Sequence, residues 1–285
     1  MEKQQAEEKI QQLSAELEQH NHNYYVLDKP TISDFEFDKL LEELIALEKQ
    51  FPELLLPTSP SQRVGGNITK EFKTVKHKYP MLSLGNTYNE MELKEFDERV
   101  KKGIENQELE YVCEQKFDGV AISLTYVDGL LKKAVTRGDG VQGDDVTTNV
   151  KTIKTIPLKI NKANLPSEFE VRGEVFFSRE TFDKINKERE DIGEPLLANP
   201  RNSASGTLKM QDSSIVAKRN LDCYMYFLLG EDLPFRTHLD SLKALKDWGF
   251  NVSDTYMICK DIIQVLEYIK VWETKRYDLD RKSVV

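Results

Sequence analysis

The sequence predicts an α+β fold, with a small N-terminal helical unit followed by a larger domain of mostly antiparallel sheet. Three observations carry this. Apolar residues in the first fifty positions recur at helical spacing, and strand-like runs replace them from about residue 70. The clearest link between two such runs is Asp128-Gly129, a tight hairpin turn. Helices and strands do not alternate strictly, which argues against a doubly wound parallel sheet.

Ile10, Leu13 and Leu17 make one apolar stripe on a helix otherwise rich in Glu, Gln and Lys. His22-Asn23-Tyr24-Tyr25-Val26-Leu27-Asp28 follows, and Pro30 breaks the run. Ser33 opens a second helix, with Glu36 placed to complete a Ser-x-x-Glu capping box. Phe37, Leu40, Leu41, Leu44 and Leu47 form its buried face. Two such helices bury little alone, so they need the following domain, or a ligand, as a partner. Residues 52–66 are rich in Pro, Ser and Gly and read as a linker, dividing the chain into 1–66 and 67–285. Strands are expected at 111–117, 120–127, 130–137, 169–177 and 221–229, and helices near 181–189, 238–248 and 261–275.

Composition narrows the class. Of 285 residues, 39% are hydrophobic and 31% charged, and no apolar run approaches the roughly 20 residues of a membrane helix. The N-terminus lacks a signal-peptide pattern, so a cytoplasmic location is expected. A net charge of −9 argues against a whole-surface grip on nucleic acid. Cys113, Cys223 and Cys259 are far apart in sequence and read as reduced structural thiols, with neither a disulfide framework nor a zinc site. None of the four histidines is assigned a role, and no metal-ligating residue is singled out.

The chemistry-bearing motifs sit at strand ends. In Glu114-Gln115-Lys116-Phe117-Asp118-Gly119, strand alternation sends Lys116 and Asp118 one way and Phe117 into the core. An amine beside a carboxylate suits a lysine nucleophile attacking a phosphate ester, although these residues alone favour a surface ion pair in an ordinary strand. Arg137-Gly138-Asp139-Gly140 offers a cation for a phosphate, or in isolation a solvated turn. Glu174, within Arg172-Gly173-Glu174-Val175-Phe176, either pairs with Arg172 or grips a ribose hydroxyl. Residues 198–206 read as a small-residue loop in which Arg201 meets a phosphate. No Gly-x-x-x-x-Gly-Lys-Ser/Thr sequence is present, which excludes a P-loop.

Taken in order, these motifs resemble the N-terminal part of the bacterial NAD-dependent DNA ligases. Met81-Leu82-Ser83-Leu84, Lys116-Phe117-Asp118-Gly119, Arg137-Gly138-Asp139-Gly140, the Glu174 segment and Asn199-Pro200-Arg201-Asn202 each match a family motif. The Tyr24 and Ser33–Asp38 segments resemble the family's nicotinamide mononucleotide-binding subdomain. The resemblance spans nearly the whole chain and implies a nucleotidyltransferase (ATP-grasp-like) adenylation domain. It also implies NAD and Mg²⁺ as cofactors, nicked double-stranded DNA as partner, a monomer, and roles in DNA replication and repair.

The resemblance further implies that Lys116 takes AMP from NAD, for which its amine must be neutral, while Asp118 orients the lysine or a Mg²⁺ ion. Glu114 is expected on the adenine, Glu174 on the ribose, Arg137 and Arg201 on the phosphate, and Ser83 and Leu84 along the pocket. Tyr24, Asp34, Phe37 and Asp38 would hold the nicotinamide half.

Three departures stand out. Phe37 replaces the family's usual tyrosine, forgoing a hydrogen bond of about 0.5–1.5 kcal/mol, and Lys209 stands where arginine is common. The chain also ends at 277–285 where the family enters an Asp-Gly-Val-Val-Ile-Lys strand bearing phosphate-binding lysines. The adenylation domain is therefore expected to be incomplete at its C-terminus, self-adenylating slowly or not at all and unable to seal nicks alone. The alternatives are an ATP-dependent nucleotidyltransferase of the RNA ligase or capping type, and a relic that binds nucleotide without chemistry.

Overall fold

The computed structural model describes residues 3–25, 29, 31–56, 58–63, 71–105, 107–279 and 283–284. The Val26-Leu27-Asp28 motif segment and the Asp34 side chain lie outside the described parts. In chain order the elements are α1 (Lys3–Tyr25), α2 (Asp34–Gln50), β1 (Thr74–Lys76), α3 (Glu90–Gly103), β2 (Tyr111–Cys113), β3 (Lys116–Phe117) and β4 (Val120–Val127). Then come β5 (Leu130–Thr136), β6 (Gln142–Asp144), α4 (Thr147–Val150), β7 (Glu168–Phe176), α5 (Arg179–Asp191), α6 (Pro200–Leu208) and α7 (Ser213–Lys218). The chain finishes with β8 (Asp222–Leu229), α8 (His238–Asp247), β9 (Met257–Cys259), α9 (Ile262–Lys275) and β10 (Ser283–Val284).

Ile10, Leu13 and Leu17 of α1 bury against Leu44 and Leu47 of α2, with Phe37, Leu40 and Leu41 at the edge of this cluster. The capping box forms as its spacing dictates: the Glu36 N–H donates to Ser33 Oγ at 3.3 Å, and the Ser33 N–H donates to the Glu36 carboxylate at 2.8 Å. The partner that this small helix pair requires is the rest of the chain. Arg63 sends its guanidinium into the larger unit and donates to the carbonyls of Ile153 at 2.9 Å and Ile156 at 2.8 Å. Glu48 of α2 accepts from the Ser59 and Ser61 hydroxyls, fixing the segment that leads to Arg63.

The main sheet has the order β5-β4-β7-β8, antiparallel throughout. Its two faces differ in chemistry because side chains alternate along each strand. Ile122, Leu124 and Tyr126 of β4, Phe169, Val171 and Val175 of β7, and Cys223, Met225 and Leu228 of β8 all join one buried core. Ile153, Ile156, Leu208, Leu242 and Leu245 close that core from the helices and loops. By the same alternation the opposite face carries Ser123, Glu170, Arg172, Glu174 and Tyr224. A bulge between Arg172 and Gly173 leaves Tyr226 as an extra residue opposite β7.

Two expectations need correction. The strand expected at 111–117 is two strands, because β2 pairs with β9 whereas β3 pairs with β10, placing Lys116 opposite Val284. The small-residue loop expected at 198–206 is largely helix α6. Asn199 caps it, accepting from the Arg201 and Asn202 N–H groups, and Pro200 takes the first helical position, where its missing N–H costs nothing.

Candidate active site

Gly119 and Glu174 define the centre of the site. Gly119 follows directly on the Lys116 strand and lies against β7, where a Cβ would stand 2.3 Å from the Val175 carbonyl oxygen. Only glycine permits that approach, and it lets the Gly119 N–H donate to Glu174 Oε1 at 3.1 Å. Burial pushes the Glu174 carboxyl up to about 7, opposed first by the Lys116 charge, then by the Gly119 bond and Arg201, while Asp118 adds to the rise. Lys116, Asp118, Glu174 and Arg201 therefore share one electrostatic neighbourhood, although Arg201 is 83 and 85 residues from Asp118 and Lys116 along the chain.

Lys116 is exposed, Phe117 is buried and Asp118 is partly covered, so the alternation read from the sequence holds. Phe117 packs on Tyr224, ring centroids 4.8 Å apart, and this contact fixes the strand that presents the lysine. Arg201, at the start of α6, donates to Asp118 Oδ1 at 3.2 Å. Arg137 stands at the end of β5 in a turn where Asp139 accepts from the Val141 and Gln142 N–H groups. Its charge reaches Tyr226, whose phenol is held protonated by burial and by the nearby Glu174 carboxylate.

Arg172 does not pair with Glu174. Its Nε donates to Glu170 at 2.8 Å, and its two terminal nitrogens donate to the carbonyls of Tyr79 at 2.7 Å and Pro80 at 3.1 Å. Arg172 thus straps the 79–80 segment to the sheet and leaves Glu174 to the site. The Met81 N–H donates to the Gly140 carbonyl at 2.8 Å, fixing the start of the exposed segment that carries Ser83 and Leu84. Lys209 pairs with Asp144 at 2.7 Å.

Glu114 meets a residue the sequence left unassigned: His238 Nε2 lies 2.6 Å from its Oε2. His238 begins α8 just after the Thr237 cap, and its ring tilts against Phe227 at 5.7 Å. Tyr224 and Tyr226 were missed as well. Their alternation with Cys223 and Met225 is the signal that points them to the polar face.

The residues expected at the nicotinamide half form a separate group. Tyr24 and Asp38 lie exposed on the helix pair, and Phe37 is half-buried in its core. Thr31 accepts from Asn23 at 3.2 Å and lies 3.0 Å from His20 Nδ1, which shapes the turn between the helices. The pair meets the larger unit elsewhere, through a polar cleft of about 350 Å³ lined by Glu18, His22, Arg63, Lys159 and Gly249 among others. No group of three or more His, Cys, Asp or Glu able to hold a metal ion occurs among the described residues.

A lysine, an aspartate and an arginine gathered about Glu174 on the polar face of an antiparallel sheet, with glycine opening the backbone, form a charged site of the kind suited to a nucleotide. The comparisons with known proteins place it. The NAD-dependent DNA ligase adenylation domain matches residues 69–283, and the DNA ligase-like N-terminal NAD⁺-binding domain matches residues 3–65. The DNA ligase of Cytophaga hutchinsonii is 60% identical over 275 residues, covering 96% of this chain and 41% of the relative. That of Parabacteroides distasonis is 53% identical over 273 residues, with the same coverage of both chains. The DNA ligase of Thermotoga neapolitana is 47% identical over 274 residues, 96% of this chain and 39% of that one. The chain belongs to the NAD-dependent DNA ligase family and carries its NAD⁺-binding and adenylation regions, spanning about two fifths of the length of these relatives.

Proposed function

We propose that this chain takes AMP from NAD onto Lys116, as the first step of sealing DNA nicks in replication and repair. The observation that carries the reading is the convergence of Lys116, Asp118 and Arg201 around the half-buried Glu174 carboxyl, with Gly119 opening the backbone beside them. The neutral Lys116 amine attacks the adenylyl phosphorus. A P–N bond forms, the pyrophosphate P–O bond breaks, and nicotinamide mononucleotide leaves. Arg201 and Arg137 neutralise phosphate charge, Glu174 accepts from the ribose, and Glu114 faces the adenine.

Asp118 would be the carboxylate to hold a Mg²⁺ ion, since Mg²⁺ needs only one or two protein carboxylates beside its waters and substrate oxygens. Such an ion would supply charge neutralisation at the phosphates. Residues 1–66, with Tyr24, Asp34, Phe37 and Asp38, serve the nicotinamide half, and 67–285 the adenylyl half. In this reading the protein works as a cytoplasmic monomer, with nicked duplex DNA as the partner that finally accepts AMP.

Intact-mass spectrometry after incubation with NAD and Mg²⁺ tests the first step, with Lys116→Ala as control. A gain of one AMP that disappears in the variant is the expected result. A gain that persists in the variant would place the nucleophile elsewhere. No gain, with adenosine and AMP also failing to bind, would remove the adenylation reading for this chain.

A further inference from the structure

Cys113 and Cys259 are 146 residues apart, yet their sulfurs lie 3.6 Å from one another. The β2–β9 register explains this. Tyr111 pairs with Cys259 and Cys113 with Met257, so the two cysteines are diagonal neighbours on one face of a two-stranded ribbon. Both are buried, in a small cluster with Val265 and Tyr268 of α9 that is separate from the main core. Cys113 directly precedes Glu114, and Tyr268 accepts at 3.0 Å from the side chain of Gln115, the residue before Lys116. The thiol cluster is thus built around the segment that holds the adenine-side carboxylate and the lysine.

We propose that Cys113 and Cys259 are a redox site, joined by a disulfide when the protein meets peroxide, and that the joined form displaces Glu114 and Lys116. The second half rests on the nucleotide reading above. The chemistry balances: two S–H bonds and the peroxide O–O bond break, one S–S bond forms, and two waters leave. One thiol is first oxidised to the sulfenic acid, which the other then attacks. A disulfide holds its sulfurs about 2.05 Å apart, so the gap must close by about 1.5 Å. Each strand of the ribbon has three residues, and Glu114 lies just beyond the end of β2, so this movement passes directly into the site. Burial, reinforced by the neighbouring Cys259 thiol, pushes the Cys113 thiol up to about 12. With so little thiolate the site responds to sustained rather than brief oxidation.

The test treats this chain with hydrogen peroxide and maps peptides without reduction, while following the His238 ring by NMR as a reporter of its contact with Glu114. A Cys113–Cys259 linked peptide is expected, together with a His238 shift that dithiothreitol reverses. Affinity for AMP should fall roughly tenfold or more, since about 1 Å of misplacement is enough for such losses. Cys259→Ala should abolish the link and the shift, whereas Cys223→Ala should keep both. The dithiothreitol reversal is read on the unsubstituted protein and needs no variant to fold. Absence of the linked peptide, or a link that leaves His238 unmoved, overturns the proposal. A link with a moved His238 in a chain that binds no AMP even when reduced supports the redox site and removes the nucleotide reading instead.

Discussion

Arg201 reaches Asp118 across 83 residues of chain, Nη1 to Oδ1 at 3.2 Å, from the first turn of a helix whose cap and proline fix its direction. An ion pair this exposed contributes about 0–1 kcal/mol to stability, so its value lies in placing charge beside Lys116. Arg201→Ala should therefore change the unfolding free energy by less than about 1 kcal/mol while slowing AMP attachment by about tenfold or more. Arg201→Lys should recover only part, because an ammonium cannot fork between carboxylate and phosphate. Paired denaturant melts and intact-mass time courses check this, and equal losses in both would mean a structural role.

Gly119→Ala should be among the most damaging single substitutions. The new methyl meets a backbone oxygen at 2.3 Å and the Glu174 Cγ at 2.9 Å, and neither belongs to a freely moving chain end. Overpacking of this kind costs about 1–3 kcal/mol, and the Glu174 bond is lost with it. Urea unfolding and adenosine binding should both be impaired. Wild-type values in both would show that β7 yields.

On the proposed ribose role, Glu174 should make nucleoside binding depend on pH. Burial pushes its carboxyl up to about 7, so ionisation is expected to advance most between about pH 6 and 8. A carboxylate is the stronger acceptor for a ribose hydroxyl, so adenosine affinity should rise with pH, by about fivefold. Glu174→Gln should flatten the profile. Adenosine is the suitable probe because it has no phosphate to titrate, and calorimetry at three pH values suffices.

Glu18 should tilt stability in the opposite direction. Burial in the cleft raises its carboxyl to about 7, against the lowering charges of Arg63 and Lys159. Between the ordinary carboxyl range near 4.5 and about 7 the native state binds more protons than the unfolded chain. Stability contributed through Glu18 is therefore full below 4.5, falls as pH rises through that window, and levels off above 7. Glu174 adds a slope of the same sign, so the comparison needed is between wild type and Glu18→Gln. The variant should be the more stable partner at pH 8 relative to pH 5, and identical pH slopes in urea melts would show that Glu18 is already solvated.

What the sequence made legible was whatever depends on period and spacing. The stripe of Ile10, Leu13 and Leu17, the Ser33–Glu36 box, the Asp128-Gly129 hairpin and the opposed directions of Lys116 and Phe117 follow from local geometry. Pairings between distant segments were out of reach, because no local signal says which strand lies beside which. That is why Glu174 looked like a partner for Arg172, whose guanidinium instead bonds Glu170 and the Tyr79 and Pro80 carbonyls. It is also why His238 carried no assignment and Cys113 and Cys259 seemed unrelated. Helix α6 was misread for a different reason: its run of small residues reads as a loop, and here Asn199 and Pro200 start a helix.

The division of the β4–β7–β8 sheet into an oily side and a charged side separates two kinds of mutational risk. On β7, alternate residues meet different demands: Val171, Gly173 and Val175 face the core, whereas Arg172 holds the Tyr79–Pro80 segment and Glu174 faces the site. Mutational tolerance on this scaffold is thereby split, for a change on the charged side alters the site without opening a void in the core.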